Sequence, residues 1–220
     1  MYRLNQVMIM KRKILAVLLL VILTICDCQE QPVYHIRPDN CQQEKCCSYP
    51  PPDCMTLSEY ALNVSLNSRL ELDGGDYYLS SVLFVNGTGF QRFSIIGSGL
   101  EDTTILCTHN ATLNFNCLSS IIVENVSFVS FGVRLTNIDT VNLVNTSFSN
   151  STSGTLDIQN CSSVQLTNLK IANNLNSQNT IVNVKDSDNL TLTNLVVEKN
   201  SIGTIDSSCV YSNFPKVNEV

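Results

Sequence analysis

The residues that could do chemistry are few and scattered along the 220-residue chain. Asp186 and Asp188 lie two residues apart, and Asp139 precedes them by almost fifty residues. A calcium ion takes six to eight oxygen ligands, so two acids in one turn are too few to predict a metal site. His109 is expected in an exposed loop, with no pair of aspartates beside it. The sequence therefore predicts no catalytic residue, no bound metal and no cofactor.

Cysteines are the other reactive group, and ten occur in the chain. Two of them fall in an N-terminal segment that we expect to be removed. The even number that is left behind a secretory signal is typical of disulfide bonds. Zinc is the competing interpretation, but no CxxC pair occurs and His35 stands apart from the cluster in sequence. The disulfide candidates are Cys41, Cys46, Cys47, Cys54, Cys107, Cys117, Cys161 and Cys209.

The first 28 residues have the pattern of a secretory signal peptide. Four basic residues precede the apolar run ILAVLLLVILTI (14–25), and small residues follow it. The run has 12 residues, whereas a membrane-spanning helix needs about 20. We predict cleavage after Cys28, with an uncleaved signal anchor as the alternative. Removal of 1–28 leaves nine basic and eighteen acidic residues, a net charge of −9, which argues against nucleic acid as a partner.

Residues 29–65 form a predicted N-terminal cap rich in cysteine and proline. The stretch CQQEKCCSYPPPDC (41–54) contains four cysteines and three consecutive prolines, and predicts an irregular segment held by disulfides. Directly after it, Thr56 and Glu59 have the spacing of a capping box, which predicts a short helix through about Asn63.

From residue 113 onward the chain repeats itself in four windows of 16 residues. The windows are LNFNCLSSIIVENVSF (113–128), VRLTNIDTVNLVNTSF (133–148), LDIQNCSSVQLTNLKI (156–171) and VNVKDSDNLTLTNLVV (182–197). Six columns of the alignment, the first, third, ninth, eleventh, fourteenth and sixteenth, are apolar with one exception, Thr146. Alternation in three short bursts per window, with the same columns recurring, predicts a parallel β-helix. A leucine-rich repeat has a similar length but needs a helical or extended return with its own leucine pattern, which the sequence does not show. An antiparallel sandwich would not explain why the same columns recur four times.

The thirteenth column is asparagine in all four windows, and these residues are Asn125, Asn145, Asn168 and Asn194. Asparagine tolerates the left-handed backbone of a tight turn, and stacked amides can hydrogen-bond along the axis as a ladder. Asn125 and Asn145 also begin glycosylation sequons, but the column explains all four residues and the sequon explains two. We therefore interpret this column as a structural ladder.

The remaining sequons lie off that column and are glycosylation candidates. Asn110, Asn150 and Asn189 are expected in turns or loops between windows, which favours them as sites of attachment. The full set of candidates is Asn63, Asn86, Asn110, Asn150, Asn160 and Asn189.

The windows, together with FSIIGSGLEDTTILC (93–107) ahead of them, resemble right-handed parallel β-helix proteins of the pectin-lyase-like class. The preceding HIRPDNC…DCMTLSEY (35–60) resembles the N-terminal cap of secreted or cell-surface β-helix proteins from simple marine animals. The resemblance implies an all-β fold with three strands per coil and about four to five coils. It also implies that polysaccharide cleavage should be considered, since many members of that class cleave acidic polysaccharides.

The alignment places Arg134 beside Asp157 on one outward face, and a cross-strand ion pair is the favoured interpretation. The outward column Ile122, Asn142, Gln165 and Thr191 is interpreted as a solvated face, and the phenylalanines of the windows point inward. We predict a non-catalytic extracellular module with a structural or recognition role. The alternative is a calcium-dependent polysaccharide lyase or glycoside hydrolase.

The predicted organisation is a signal peptide at 1–28, a cap at 29–65, a parallel β-helix at 66–206 and a C-terminal cap or truncated end at 207–220. The expected location is secreted or extracellular, and the expected partner is an extracellular glycan or protein. A membrane is expected as a partner only if the full-length chain carries an anchor beyond Val220.

Overall fold

A computed structural model describes residues 31–38, 54–62, 67–79, 83–107, 112–130, 132–151, 155–174, 182–198, 200, 205–207 and 218–219. The chain divides into two units, 1–31 and 32–220. The predicted signal peptide lies outside the described residues, and all described elements belong to the second unit. The one described helix is α1 (Leu57–Leu62). The described strands are β1 (Val33–Arg37), β2 (Cys54–Thr56), β3 (Ser68–Leu72), β4 (Gly75–Leu79), β5 (Phe84–Asn86), β6 (Arg92–Gly97), β7 (Thr103–Cys107), β8 (Thr112–Val129), β9 (Gly132–Ser149), β10 (Leu156–Gln159), β11 (Ser163–Ala172), β12 (Val182–Lys185), β13 (Asn189–Glu198), β14 (Ile205–Ser207) and β15 (Asn218–Glu219).

The strands stack into three parallel faces, which confirms the predicted β-helix. Face 1 is built from β5, the start of β8, the start of β9, β10, β12 and β14. Face 2 follows from β2, β1, β3, β6, the middle of β8 and β9, and the first halves of β11 and β13. Face 3 contains β4, β7, the ends of β8, β9, β11 and β13, and β15.

The register of this stack is the one predicted by superposing the windows. Leu113 pairs with Val133, Val133 with Leu156, and Leu156 with Val182. All three faces are filled by strands in six successive turns, one or two more than expected. The additional turns come from residues 68–107, whose loops vary in length and hide the repeat from a window-based alignment.

The six apolar columns all point into the coil and form its core. Representative side chains Leu135, Val141 and Phe148 are at most 1 % exposed, and Thr146 in the same core is fully buried. Thr146 donates its hydroxyl to the carbonyl of Val144, two residues earlier, at 3.1 Å. A seventh inward column, which the sequence analysis missed, consists of Leu118, Ile138, Cys161 and Ser187. Its mixture of apolar and polar types conceals it in the sequence.

Three corners per turn separate the faces, and in the turns from β8 to β13 these corners are made by residues with a left-handed backbone. Corner 1 contains Cys117, Asn137, Asn160 and Asp186; corner 2 contains Asn125, Asn145, Asn168 and Asn194; corner 3 contains Ser130, Asn150 and Asn173. Their φ angles lie between 47° and 70°, a region that asparagine tolerates better than most residues with a side chain. Asparagine at eight of these eleven positions therefore follows from the backbone geometry of the coil.

The described parts of the predicted cap are more regular than expected. The prediction that 41–54 is irregular is wrong at its end, because Cys54 begins strand β2, which pairs with β1 on face 2. Helix α1 follows β2 directly, with Leu57 and Tyr60 buried. The Tyr60 hydroxyl lies 2.6 Å from the Ser68 hydroxyl, which ties the helix to the first turn of the coil.

The predicted capping box at the start of α1 is confirmed. Glu59 accepts a hydrogen bond from the Thr56 backbone N–H at 2.6 Å, and the Glu59 N–H donates to the Thr56 hydroxyl at 3.2 Å. The backbone hydrogen bond from Thr56 is the main cause that lowers the pKa of Glu59 below its ordinary value of 4.5, followed by the Thr56 side chain. Arg37, 3.9 Å from Glu59, lowers it further.

Candidate functional site

The most regularly repeated contact between polar side chains is the amide ladder at corner 2. Asn145 Nδ2 donates to Asn125 Oδ1 at 3.0 Å. Asn168 donates to Asn145 at 2.7 Å, and Asn194 donates to Asn168 at 2.8 Å. Asn125 and Asn145 are half-buried, while Asn168 and Asn194 are exposed. The thirteenth column thus forms a hydrogen-bonded ladder along a corner of the coil, and not in its core.

The serines that complete the sequons of Asn125 and Asn145 form a second short ladder. Ser147 donates its hydroxyl to that of Ser127 at 2.8 Å, and Ser127 donates to the Leu100 carbonyl. The two sequons therefore arise where an asparagine ladder and a serine ladder run side by side. The asparagine and serine side chains of both sequons already have an inter-turn partner in the fold.

Corner 1 carries another amide ladder, which the sequence analysis did not identify. Asn160 donates to Asn137 at 3.3 Å, Asn137 to Asn116 at 2.8 Å, and Asn116 to Asn86 at 2.8 Å. The ladder shifts by one position between Asn137 and Asn116, because Cys117 occupies the corner in that turn. This substitution breaks the column and hid the ladder in the alignment.

A glycine lies beneath the first residue of the corner 1 column and of the corner 2 column. A Cβ on Gly87 would be 2.4 Å from the Cys117 carbonyl oxygen, and one on Gly97 would be 2.2 Å from that of Asn125. Both oxygens are backbone atoms, and the Cys117 oxygen also accepts a hydrogen bond from the Gly89 N–H at 2.7 Å. Only glycine fits where the coil passes from its irregular first turns to the regular ladders.

The glycosylation candidates are placed mostly at corners. Asn150 is exposed at corner 3, Asn160 is exposed at corner 1, and Asn86 is exposed at the end of β5. Asn189 is exposed at the start of β13, with its amide 3.3 Å from the Ser162 carbonyl. The other two candidates, Asn63 and Asn110, lie outside the described residues.

Four of the cysteine candidates, Cys41, Cys46, Cys47 and Cys209, also lie outside the described residues. In the described part of the chain no disulfide joins Cys107, Cys117 and Cys161 to one another. Cys117 and Cys161 are separated by two strand spacings on the β8–β9–β10 stack, about 9 to 10 Å, which is too far for a disulfide. Cys107 ends a strand of face 3, away from corner 1.

A row of polar side chains crosses face 1, and it contains the predicted ion pair. Arg134 Nε lies 3.0 Å from Asp157 Oδ2. Asp157 also accepts from Asn183 Nδ2 at 2.8 Å and from Gln159 Nε2 at 2.9 Å. The Arg134 side chain remains 58 % exposed. Three donors thus surround one carboxylate, and the arginine keeps much of its guanidinium facing solvent.

Exposed aromatic residues occur in the first turns of the coil, which the windows did not cover. Phe84 stands on face 1 and is 56 % exposed, and Phe90 in the following loop is 88 % exposed. Tyr78 on face 3 is 42 % exposed. The phenylalanines of the windows point inward as predicted, with Phe115, Phe128 and Phe148 at 1 % exposure.

The structure does not bring the scattered acids together. Asp139 and Asp188 are both exposed near corner 1, but two turns apart, about 9 to 10 Å. His109 lies outside the described residues. His35, although distant from Cys54 in sequence, pairs with it in the strand register, and its Nδ1 lies 3.5 Å from Glu71 Oε2. Within the described ranges, no three His, Cys, Asp or Glu side chains form a group that could hold a metal ion.

Comparison of the chain with protein-family models, with curated protein sequences and with solved structures finds no significant match. Among the residues that are described, no helix has the length and apolar character needed to cross a membrane.

Proposed function

We propose that the chain is a non-catalytic extracellular β-helix module with a structural or recognition role. The observation that carries the proposal is that polar side chains of successive turns hydrogen-bond to one another. The corner asparagines hydrogen-bond to one another along the axis, and such bonds hold successive turns in fixed register. A scaffold of this kind presents flat outward faces at constant spacing.

Face 1 is the outward surface best suited to recognition. Arg134 is oriented by Asp157 through its Nε and stays more than half exposed, so its other nitrogens can donate to a partner. Phe84 offers an aromatic ring on the same face. The partner that we propose is an extracellular glycan or protein.

The extracellular location and the pectin-lyase-like kinship belong to the same proposal. They are supported by the signal-like pattern of 1–28, by the sequons exposed at corners and by the three-strand turns of the coil. Disulfide bonds that involve the cysteine-rich stretch 41–54 are proposed on the same grounds.

The alternative function, polysaccharide cleavage, requires a basic residue able to remove a proton and carboxylates able to hold calcium. On face 1, Asp157 already accepts hydrogen bonds from Arg134, Gln159 and Asn183. A carboxylate has about four lone-pair sites, so few lone pairs of Asp157 are left to bind a calcium ion. This arrangement favours the non-catalytic role.

Incubation of the secreted protein with polygalacturonate, with and without calcium, tests the proposal. We expect no new unsaturated chain ends and no new reducing ends in either condition. Arg134→Ala is the test variant and Lys170→Ala, on face 3, is the matched control. Product that forms with the original protein and with Lys170→Ala, but not with Arg134→Ala, would establish an enzyme and refute the proposal.

Glycopeptide mapping of the protein secreted from a eukaryotic host tests the location and the sequon assignments. We expect a chain that begins at Gln29 and carries sugar at Asn110, Asn150 or Asn189. A chain that retains residues 1–28 would contradict secretion by cleavage. Extensive glycosylation at Asn125 and Asn145 would contradict their assignment as ladder residues only.

A further inference from the structure

Asn86 and Gly87 form the only Asn-Gly pair in the chain. An asparagine followed by glycine has an intrinsic reaction of its own, because glycine places no side chain in the way of ring closure. The Gly87 backbone nitrogen attacks Asn86 Cγ and forms a new C–N bond. The bond from Cγ to Nδ2 breaks, and ammonia leaves with the proton that the Gly87 nitrogen has lost. Water then opens the cyclic imide at either carbonyl, which leaves aspartate or isoaspartate at position 86.

The packing of the coil makes this reactive pair unavoidable. A Cβ at position 87 would lie 2.4 Å from the Cys117 carbonyl oxygen and 2.8 Å from Leu118 Cδ2. Glycine is therefore required at 87 on structural grounds. Asn86 is the first acceptor of the corner 1 ladder, because its Oδ1 accepts from Asn116 Nδ2 at 2.8 Å.

Asn116 holds both groups that would react, the Gly87 backbone N–H and the Asn86 side-chain amide. The Gly87 N–H, which must lose its proton to become a nucleophile, donates to the Asn116 carbonyl at 2.8 Å. The Asn86 amide, which must turn its carbon toward that nitrogen, is fixed through Oδ1 by the Asn116 side chain. Position 86 also pairs with position 116 in the sheet register, so the backbone is held extended.

The orientation of the Asn116 side chain is itself determined by the next turn. Its Oδ1 accepts from Asn137 Nδ2 at 2.8 Å and from the Thr136 hydroxyl at 3.0 Å. With both donors on the oxygen, the Asn116 nitrogen must face Asn86. The hold on Asn86 thus comes from the two turns above it.

We propose that Asn86–Gly87 is a latent self-modification site that the folded coil keeps inactive through Asn116. Deamidation at position 86 then marks molecules in which this corner has opened. It would also remove the amide that makes position 86 a candidate for glycosylation.

The test follows the full chain, produced in a bacterial host that adds no N-glycans, in mildly alkaline buffer. Peptide mass spectrometry measures the rise of 1 Da and the isoaspartate form at position 86, with the Asn150–Ser151 peptide as an internal reference. We expect deamidation of Asn86 to be at least roughly tenfold slower in the folded protein than in the same protein in urea, since exchange-type reactions at protected amides require local opening. Equal rates in the two states would overturn the proposal.

The contribution of the Asn116 side chain is tested with Asn116→Ala against Asn114→Ala, which also faces outward on the same strand of face 1. Asn116→Ala removes the hydrogen bond that its side chain donates to Asn86 Oδ1. We therefore expect Asn86 to deamidate about fivefold faster in Asn116→Ala than in Asn114→Ala, with no change in the rate at Asn150. If the two variants deamidate at the same rate, or if Asn116→Ala accelerates Asn150 equally, Asn116 does not hold the site.

Discussion

Removal of one amide from the middle of the corner 2 ladder should destabilise the coil by an amount that the contacts predict. Asn145 donates to Asn125 and accepts from Asn168, and each bond contributes about 1 kcal/mol. Its φ is 47°, where alanine in place of asparagine costs about 1 kcal/mol more. Asn145→Ala is therefore expected to lower the free energy of unfolding by about 3 kcal/mol.

Two matched variants separate these contributions. Asn194 makes one ladder bond and has φ 54°, so Asn194→Ala should cost about 2 kcal/mol. Asn173 has φ 55° at corner 3 and no ladder bond among the described contacts, so Asn173→Ala should cost about 1 kcal/mol. The order of the three variants is the test of the ladder.

Urea denaturation followed by circular dichroism measures the free energy of unfolding for each variant. If Asn145→Ala loses no more than Asn173→Ala, the side-chain hydrogen bonds contribute nothing to stability and the reasoning is refuted. If all three variants are unchanged, the left-handed corners also tolerate alanine without cost.

Three further outcomes are expected. Glu59→Gln should lower stability at neutral pH. Because the folded pKa of Glu59 is depressed below 4.5, the stability advantage of the original protein over this variant should fade as the pH falls below that value. Denaturation curves at a series of pH values measure this difference, and a difference that stays constant with pH would show that the capping carboxylate has no role. Gly97→Ala should lower the free energy of unfolding by about 2 to 3 kcal/mol, because its Cβ would meet a backbone oxygen at 2.2 Å. Gly74→Ala, whose Cβ would have its nearest neighbour at 3.5 Å, should change the melting temperature little. Equal effects of the two variants would contradict the steric argument. Thr146→Val should leave stability within about 1 kcal/mol of the original or raise it, since the one bond of the buried hydroxyl among the described residues lies within its own strand. A larger loss in thermal unfolding would show that this hydroxyl is needed in the core.

The parts of the fold that repeat were predictable from the sequence, and the parts that vary were not. The four windows from residue 113 onward all have 16 residues, so superposing them gave the strand register and the six core columns. Residues 68–107 follow the same path with irregular loops, and their strands carry no alignable repeat. The seventh core column was hidden because Leu118, Cys161 and Ser187 share burial but not residue type.

The side-chain network was predictable only where residue type was constant. Corner 2 is asparagine in every window, and the amide ladder follows from that. Corner 1 uses Cys117 and Asp186 in two of its turns, so its ladder passes through Asn116 and cannot be seen by aligning one column. The exposed Phe84 and Phe90 lie in turns outside the windows, where inward and outward positions could not be assigned from the sequence.

The two amide ladders also have a polarity. Every hydrogen bond in them runs from the Nδ2 of a later turn to the Oδ1 of an earlier one. The amide dipoles therefore point the same way along both corners, and each bond in such a chain polarises the next. The two ladders thus give the coil a dipole along its axis. The ladder ends at Asn86 and Asn125 present amide hydrogens, and the ladder ends at Asn160 and Asn194 present amide oxygens. Bound charges of opposite sign are favoured at its two ends.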